Sequence, residues 1–577
     1  MIMDNEEVAA ILGDIARILE LEGEETYKIR AYRKASQSLA LLEGDINYYH
    51  REGRLQEIPG VGRSIEGLID QLLTTGKSDL YEALKKETPL ELYDVIRVPG
   101  IGRKTALKVH RTLGVTTINE FKQAAKQHRI RNVRGLGDKI EKNILRSIEQ
   151  YQRMESEVRI PLFRALGIAQ ETAGYLKDCG NIDRLEIVGS IRRMAPLITD
   201  LNFLATSADP SGAIDCFCNS PVARITKNRT DTKAHITTRY RVEATLEIVD
   251  PENIGLHMVI DTGSASHVRA LEDLAAKKAI DFDHASYMNA ITLERKTLPR
   301  EEDVYAALGL PYIPPEMREG RGEVEAAARG ALPVPVERSD IKGDLHVHSI
   351  WSDGSNAIRD IAMAARARGY EYVAICDHSR SLTVANGLSI ERLRDQMVEI
   401  DELNDTLEDF TVLKGSEVDI MADGSLDLPD DMLDQLDIVV GSVHSSLKQE
   451  PNIITRRVLA AIESGYLTIL GHPTSRVIGR REPTLVDIDQ VIDAAAYHGV
   501  ALEVNAYPDR LDLSDENVKK AMDAGAVIAI DTDSHSIAEL DFIEFGVANA
   551  RRGWAPRERV LNCMAYEQLL QFLEKRV

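Results

Sequence analysis

The residues of this chain best suited to chemistry are six histidines and three acidic residues, all between positions 346 and 535. They are His346, His348, Asp353, His378, Glu417, His444, His472, Asp533 and His535. Histidine is the commonest metal ligand in proteins, and carboxylates bridge divalent cations, so the set suits Zn²⁺ or Mn²⁺. These residue types therefore predict a metal-dependent hydrolase.

Each of these residues follows closely on a short apolar run. Residues 372–375 precede His378, residues 527–530 precede Asp533, and helical patterns such as 355–368 lie between the runs. Apolar runs that alternate with helices predict βα units around a parallel sheet. Functional residues at the carboxyl ends of many strands are typical of the active face of a barrel. The remaining histidine of this region, His498, ends a predicted helix, and we interpret it as structural.

The motifs around the nine residues resemble those of the PHP (polymerase and histidinol phosphatase) phosphoesterases. They are Asp344-Leu-His-Val-His-Ser349, Ser352-Asp-Gly354, Cys376-Asp-His-Ser379, Gly415-Ser-Glu-Val-Asp419, Ser442-Val-His444, Gly471-His-Pro473 and Asp533-Ser-His535. The resemblance implies a distorted seven-stranded βα barrel that holds three divalent ions, Mn²⁺ or Zn²⁺. It assigns one ion to His346, His348, Glu417 and Asp533, a second to Glu417, His444 and His472, and a third to Asp353, His378 and His535.

The same resemblance implies phosphoester hydrolysis, with Glu417, His346, His348 and Asp533 as catalytic residues. A metal-bound water loses its proton near neutral pH, and neighbouring ions clamp the attacking and leaving oxygens. Arginines that could bind the other phosphate oxygens lie nearby in the sequence. They are Arg380, Arg476, Arg480, Arg481 and Arg510.

Three glycine pairs recur at intervals of about forty residues in the N-terminal part, each before an amphipathic helical pattern. Glycines at this spacing form a tight hairpin and bring backbone N–H groups close to an anion such as phosphate. The pairs resemble helix-hairpin-helix DNA-binding motifs. They are Gly60 and Gly62, Gly100 and Gly102, and Gly135 and Gly137.

Charge supports DNA binding locally, although the chain as a whole is acidic. The net charge is −23, but residues 101–150 hold twelve Lys or Arg against four Asp or Glu. Arg103 and Lys104, with Lys108 and Arg111, follow the second hairpin and are predicted to contact a DNA backbone without reading its sequence.

The five cysteines form no even framework, and no apolar run is long enough for a membrane span. We expect a cytoplasmic monomer that binds gapped, nicked or abasic DNA and no membrane.

The front half resembles a family X DNA polymerase, and the fusion to a PHP domain is a known architecture of bacterial and archaeal members. The motifs are Tyr27-Lys-Ile-Arg-Ala-Tyr32, the hairpins, Gly189-Ser-Ile-Arg-Arg193, Thr262-Gly-Ser264 and Pro314-Pro-Glu-Met-Arg-Glu-Gly320. The resemblance implies a nucleotidyltransferase-like palm in which Gly189, Ser190 and Arg193 bind the triphosphate of a dNTP. Three carboxylates would hold two Mg²⁺ ions there.

The predicted polymerase centre departs from this pattern. Asp200 is present as a residual catalytic carboxylate, but Asn202 and Thr245 stand where the second and third carboxylates belong. A register shift would leave Glu243 or Glu247 as a substitute. Leu68 occupies the position of the Schiff-base lysine used for lyase chemistry in relatives, so no lyase activity by that route is expected. Mg²⁺ is expected at the palm only if the polymerase is active.

The motifs described above divide the chain into six predicted segments. They are a helical DNA-end domain at 1–80, helix-hairpin-helix fingers at 81–155, a palm at 156–250, a thumb at 251–318, a linker rich in glycine and proline at 319–340, and the barrel at 341–577.

The predicted function is a DNA-repair phosphodiesterase of the 3′–5′ exonuclease or abasic-site type, with polymerase activity impaired or lost. Two alternatives remain open. One is an active gap-filling polymerase with a proofreading barrel. The other is a DNA-end-binding scaffold whose barrel hydrolyses a small phosphate ester.

Overall fold

The computed structural model describes residues 3, 5–24, 26–40, 42, 45–98, 100–155, 159–283, 286–289 and 295–574. Pro99, part of the second hairpin motif, lies outside the described residues. The chain divides into two compact units, Met1–Val158 and Arg159–Val577.

The described residues of the first unit form helices joined by turns and loops, without a strand. Its helices are α1 (Asn5–Glu22), α2 (Thr26–Ala40), α3 (Ile46–Arg51), α4 (Arg63–Thr75), α5 (Asp79–Glu87), α6 (Leu92–Arg97), α7 (Arg103–Leu113), α8 (Ile118–Lys126) and α9 (Asp138–Glu155). One hydrophobic cluster joins α1 to α4, for example Leu12 to Ile65, and a second joins α6 to α9, for example Val95 to Ile144.

The second unit starts with a mixed sheet flanked by helices. Its elements are β1 (Ile160–Pro161), α10 (Leu162–Asp178), β2 (Arg184–Val188), β3 (Leu197–Ile198), β4 (Asp200–Thr206), α11 (Pro210–Cys218), β5 (Ala223–Arg229), β6 (Lys233–Thr238) and β7 (Glu243–Ile248). The five-stranded sheet has the order β2-β4-β7-β6-β5, in which only β4 and β7 run parallel. Alternation along β4 buries Leu201 and Phe203 and leaves Asp200 and Asn202 on the open face.

Cys179 and Cys216 form a disulfide at the end of α10 and within α11, with a Cα–Cα distance of 6.5 Å. The sequence showed no even framework of cysteines and did not predict this pair. Their separation of 37 residues carries no pairing signal, and only the packing of α10 on α11 brings them together.

A smaller helical layer follows the mixed sheet. It contains α12 (Ile254–Thr262), α13 (Ala265–Lys277), β8 (Ile280–Asp283), β9 (Ser286–Asn289), β10 (Arg295–Lys296), α14 (Glu301–Ala307) and α15 (Glu323–Ala328). The segment predicted as a linker, 319–340, includes α15 and is packed rather than open. Val324 and Val336 are buried, and the Val336 N–H donates to the carbonyl of Ala555 at 2.8 Å.

The last part of the second unit is a parallel barrel, as predicted. Its strands are β11 (Gly343–Val347), β12 (Tyr372–Ile375), β13 (Thr411–Asp419), β14 (Ile438–Ser442), β15 (Ile469–Leu470), β16 (Ala501–Asn505) and β17 (Ile528–Asp531). They pair in sequence order, and a parallel bridge between Val347 and Ser534 joins the two ends, so the barrel is nearly closed. Leu345, Ala374, Leu413, Val440 and Ile469 fill its interior.

Helices cover the outside of the barrel. They are α16 (Ile358–Ala367), α17 (Ile390–Asn404), α18 (Asp430–Leu433), α19 (Pro451–Glu463), α20 (Ile488–His498), α21 (Asp515–Asp523), α22 (Ile543–Arg552) and α23 (Tyr566–Glu574). His498 is the exposed last residue of α20.

Candidate metal centre

The nine predicted ligands meet in one cage at the carboxyl end of the barrel strands. Strand β11 carries His346 and is followed by His348, β13 carries Glu417, and the remaining ligands lie in loops just after the other strands. His346, His348, Glu417 and His472 are almost fully buried, whereas Asp353 and His535 reach the mouth, about one third exposed.

Glu417 is the centre of the cage. Its Oε1 lies 3.2 Å from His444 Nε2 and 3.0 Å from His472 Nε2. Its Oε2 lies 3.5 Å from His346 Nε2, 3.6 Å from His348 Nε2 and 2.8 Å from His378 Nδ1. The two oxygens thus face different histidines, which is the arrangement of a carboxylate that bridges two ions.

The structure contains three groups of potential ligands that overlap with the predicted sets but are not identical to them, and His472 belongs to none of the three. His346, His348 and Asp533 form one potential metal-binding group, and His348 also belongs to a group with Asp353, His378 and His535. His378 lies close to Glu417 and His444 as well. His348 and His378 therefore stand between the groups that the sequence assigned to separate ions.

The donor set fits a cluster of cations. Glu417 Oε2 is buried among three imidazoles, yet it makes no hydrogen bond to any described residue. His346 Nε2 and His348 Nε2 lie 3.2 Å apart and point at the same space. A buried polar atom without a hydrogen-bond partner lowers the stability of the fold. A metal ion bound between these nitrogen and oxygen atoms would provide the missing partner.

The charges of the cage act strongly on its titrating groups. Burial alone would raise the pKa of Glu417, but the charges of His444, His378 and His346 hold it well below its usual range. Burial opposes protonation of His444, yet the charges of Glu417 and Asp419 raise its pKa to about 10. Burial and the neighbouring histidines lower the pKa of His348 to about 3. The carboxylates are thus ionised and ready to bind cations.

Two residues of β16, Glu503 and Asn505, hold the ligands in place. Glu503 is fully buried, its Oε1 lies 2.6 Å from His346 Nδ1, and its Oε2 accepts from the N–H of His472 at 2.5 Å. Asn505 Nδ2 donates to Asp533 Oδ2 at 3.0 Å. Such partners fix the orientation of metal ligands. The sequence reading missed Glu503, although a glutamate inside the apolar run 500–504 was the signal that could have revealed it.

Asp419 plays the same part for His444, whose Nδ1 lies 2.7 Å from Asp419 Oδ1. Asp377 holds the loop that carries Asp353, because its carboxylate accepts from the N–H groups of Ser349 at 2.8 Å and Ser352 at 3.2 Å. These carboxylates lie within the motifs of the PHP resemblance, but their supporting role was not predicted.

The five candidate arginines differ in their environments. Arg476 and Arg481 donate to loop carbonyls, and Arg380 and Arg480 are exposed and paired with aspartates. Arg510 alone reaches the cage, with its Nε 3.5 Å from Asp533 Oδ2.

The open face of the mixed sheet holds the predicted polymerase residues. Asn202 is paired with Thr245 in the parallel ladder, and Asp200 with Glu243. Asp200 Oδ1 accepts from Thr199 Oγ1 at 2.7 Å, and its Oδ2 accepts from Asn202 Nδ2 at 2.6 Å. The sole carboxylate at the three expected positions is therefore already hydrogen-bonded through both oxygens.

The predicted triphosphate-binding residues lie beside this face. Gly189 has φ +81°, and a Cβ there would lie 3.1 Å from Asn202 Nδ2. Ser190 Oγ is buried without a hydrogen-bond partner among the described residues. Arg193 is already engaged, because its Nε donates to Glu319 Oε1 at 2.9 Å and its Nη1 to the Thr262 carbonyl.

Sequence comparisons identify relatives over the whole chain. Residues 3–78 match the helix-hairpin-helix domain, 92–150 the SAM-like helix-hairpin-helix tandem, 258–319 the DNA polymerase beta thumb and 344–506 the PHP domain. The chain is 36% identical over 575 residues to the DNA polymerase/3′-5′ exonuclease PolX of Bacillus subtilis (strain 168), covering 99% of this chain and 100% of the relative. The chain belongs to the family X DNA polymerases with a C-terminal PHP domain.

The PHP barrel alone has further relatives. It is 29% identical over 230 residues to a probable phosphatase of Thermoanaerobacter sp. (strain X514), covering 38% of this chain and 89% of the relative. It is 28% identical over 244 residues to the probable phosphatase YcdX of Escherichia coli (strain K12 / DH10B), covering 40% of this chain and 94% of the relative.

In the part of the chain that the structure describes, no helix has the length and apolar character of a membrane span.

The helix-hairpin-helix unit of this family X member has the expected local geometry. The first glycine of each pair, Gly60, Gly100 and Gly135, has a positive φ of +90°, +87° and +78°. A Cβ on Gly60 would lie 2.9 Å from the backbone nitrogen of Ala35, so only glycine fits. The second glycines, Gly62, Gly102 and Gly137, immediately precede α4, α7 and α9. Helix N-termini of this kind bind phosphates, and these domains imply DNA binding.

The basic residues near the second hairpin are only partly available. Arg103 Nη1 donates to the carbonyl of Glu20 at 3.1 Å, so this side chain is tied to α1. Lys104 is exposed, and Lys108 Nζ approaches Gly135 of the third hairpin. Leu68 is buried in the core of α1 to α4, and α4 contains no lysine.

Proposed function

We propose that this protein is a DNA-repair nuclease whose PHP barrel cleaves phosphodiesters at 3′ ends, or at abasic sites, of gapped or nicked DNA. Polymerase activity is impaired or lost. The observation that carries the proposal is a contrast between two sites. The nine predicted PHP ligands lie together, five of the histidines within 3.6 Å of Glu417, whereas Asp200 is the one carboxylate at the three palm positions.

The barrel residues account for hydrolysis as follows. We assign three divalent ions, Mn²⁺ or Zn²⁺, to the nine ligands; when bound, they supply an activated water and a clamp for phosphate oxygens. Glu417 is placed to share its two oxygens between neighbouring ions. His346 and Asp533 are oriented by Glu503 and Asn505, so their donor atoms are held before an ion binds. His348, whose pKa is about 3, presents a neutral ring.

The palm residues argue against efficient polymerisation. Two Mg²⁺ ions need several anionic oxygens, and an amide or hydroxyl is a weaker ligand for a hard cation. Glu243 and Glu247 do not replace the missing carboxylates freely, because they pair with Lys227 at 2.8 Å and Lys233 at 2.6 Å. In this proposal Gly189 and Ser190 bind the triphosphate of a dNTP without turnover, and Mg²⁺ would be present at the palm only in an active polymerase.

The helix-hairpin-helix domains supply DNA affinity in this proposal. Their glycine hairpins and the exposed Lys104 contact phosphates and fix position without reading sequence. The segment boundaries given above, a monomeric state and a cytoplasmic location belong to the same proposal.

The test uses pure protein, Mn²⁺ and a 5′-labelled gapped duplex. Shortening of the labelled strand is expected, with loss of activity in His346→Ala and unchanged activity in Asp200→Ala. Hydrolysis of p-nitrophenyl phosphate without any DNA cleavage would instead support a small-molecule phosphoesterase, the activity class named for the shorter barrel relatives.

A further inference from the structure

Tyr507 stands at the mouth of the metal cage, fixed from two sides. Its backbone N–H donates to Asn505 Oδ1 at 3.0 Å, and Asn505 in turn donates to Asp533. Its hydroxyl donates to Glu539 Oε1 at 3.5 Å, and Glu539 Oε2 accepts from the N–H of His535 at 2.7 Å. Tyr507 is therefore linked to the predicted ligand Asp533 through Asn505 and to the predicted ligand His535 through Glu539.

The ring of Tyr507 is part of a row of aromatic side chains, the aromatic rim, formed by Tyr507, Phe542, Phe545 and Phe163. Ring centroids lie 5.3 Å apart for Tyr507 and Phe542, 6.1 Å for Phe542 and Phe545, and 5.8 Å for Phe163 and Phe542, all edge-to-face. In an edge-to-face pair the edge of one ring meets one face of the other ring, so the opposite face of that ring is not covered by this partner. Phe163, at the start of α10, is 55% exposed although it is a large apolar residue.

Arg510 brings positive charge to the same mouth. It lies three residues after Tyr507, and its N–H donates to the carbonyl of Tyr507 at 2.7 Å. Its Nη1 is buried and has no hydrogen-bond partner among the described residues, while its Nε lies beside Asp533. A guanidinium with an unused donor next to a metal cage suits an additional anionic oxygen.

We propose that the aromatic rim, which includes Tyr507, and Arg510 form a subsite for the 3′-terminal nucleotide of DNA. Arg510 binds a non-bridging oxygen of the phosphate held at the cage, and Tyr507 stacks on the base. The subsite deepens the proposed nuclease function and rests on it. Aromatic stacking accepts every base, so the subsite selects a nucleotide over a small phosphate ester without selecting a sequence.

The first experiment compares two 5′-labelled duplexes, one with an unpaired normal nucleotide at its 3′ end and one with an unpaired abasic nucleotide there. With Mn²⁺, Tyr507→Ala lowers kcat/KM on the normal end by about ten-fold, because stacking on one base is worth roughly this much or more. On the abasic end it has little effect. Tyr507→Phe and Tyr507→Trp keep the preference, and Tyr497→Ala, at the 86% exposed tyrosine of α20, serves as the matched control.

An equal loss on both ends, or a loss in Tyr507→Phe as large as in Tyr507→Ala, would overturn the subsite, because the hydroxyl and Glu539 would then be the cause. Metal content of each variant shows that the cage is intact. A second experiment places 2-aminopurine at the unpaired 3′ end and follows its fluorescence on binding, without cleavage. Quenching by the wild type that is lost in Tyr507→Ala supports the subsite even where no cleavage occurs. No quenching by the wild type refutes it.

Discussion

Asn202 lies directly opposite Thr245 in the parallel ladder between β4 and β7. Both side chains share the open face with Asp200, and Asn202 donates to Asp200 Oδ2 at 2.6 Å. An amide and a hydroxyl thus face each other where a family X polymerase requires carboxylates. Of the three positions where carboxylates are expected, only Asp200 carries one, and the other two carry the neutral groups of Asn202 and Thr245.

Returning the carboxylates should restore the centre. The double variant Asn202→Asp/Thr245→Asp is expected to gain dNTP-dependent primer extension, by about ten-fold or more over the wild type, because two anionic ligands join Asp200 around Mg²⁺. Extension on a gapped primer measures it. The same pair of changes in an Asp200→Ala background should remain inactive, and an inactive double variant would show that the defect lies elsewhere in the palm.

Glu503 should determine metal affinity although it is not a predicted ligand. Glu503→Gln keeps the shape but removes the charge that orients His346, so affinity for Mn²⁺ should fall about 10- to 100-fold. Titration of the metal-free protein with Mn²⁺ measures the change. Glu463→Gln, at an exposed position of α19, is the control, and equal affinity in the two variants would exclude the orienting role.

Metal binding should release protons at neutral pH. Burial disfavours the charged ring of His535, but Asp353 and Asp533 raise its pKa to about 9, and the pKa of His444 is about 10. Both are thus protonated at pH 7 in the metal-free protein, and a ligand must lose its proton before it binds. Affinity for Mn²⁺ should therefore rise with pH up to the pKa values of these two rings, about 9 and about 10. Calorimetry in two buffers of different ionisation enthalpy detects the release, and buffer-independent heats would contradict it.

The second hairpin should contribute a sequence-independent phosphate contact. Lys104→Ala is expected to weaken DNA binding equally for all sequences and to reduce the slope of log K against log salt by about 1. Lys86→Ala removes an exposed lysine of α5 and is the control with the same change in net charge. Fluorescence anisotropy at several salt concentrations measures both slopes. A sequence-dependent loss, or equal slopes for the two variants, would rule out this contact.

The barrel and its ligands were predictable because each signal is local. The ligands follow short apolar strands, and strand ends of a parallel barrel meet at one face, so position after a strand was enough to group them. Thr245 pairs with Asn202 in the ladder between β4 and β7, and its place at the position of the third carboxylate stays a prediction. His348 and His378 were assigned to single groups, since sequence order contains no information about the distances across the mouth.

Long-range pairing explains most of what the sequence did not reveal. Arg193 is predicted to bind a triphosphate, yet its guanidinium pairs with Glu319, which also accepts from Arg552 of α22 at 2.7 Å. Segment 319–340 has the composition of a linker, but Arg321 pairs with Asp515 of the barrel at 2.8 Å. These partners are more than one hundred residues apart in sequence, and no local pattern specifies them.

One gapped substrate tests the central claim most directly. A 5′-labelled primer in a gapped duplex is incubated with Mn²⁺, Mg²⁺ and all four dNTPs, and the length of the labelled strand is measured over time. The account predicts that most products are shorter than the primer, that extension is weak or absent, and that His346→Ala does not shorten the primer. Efficient extension of the primer by the wild type, or by His346→Ala unless Asp200 is also replaced, would contradict it.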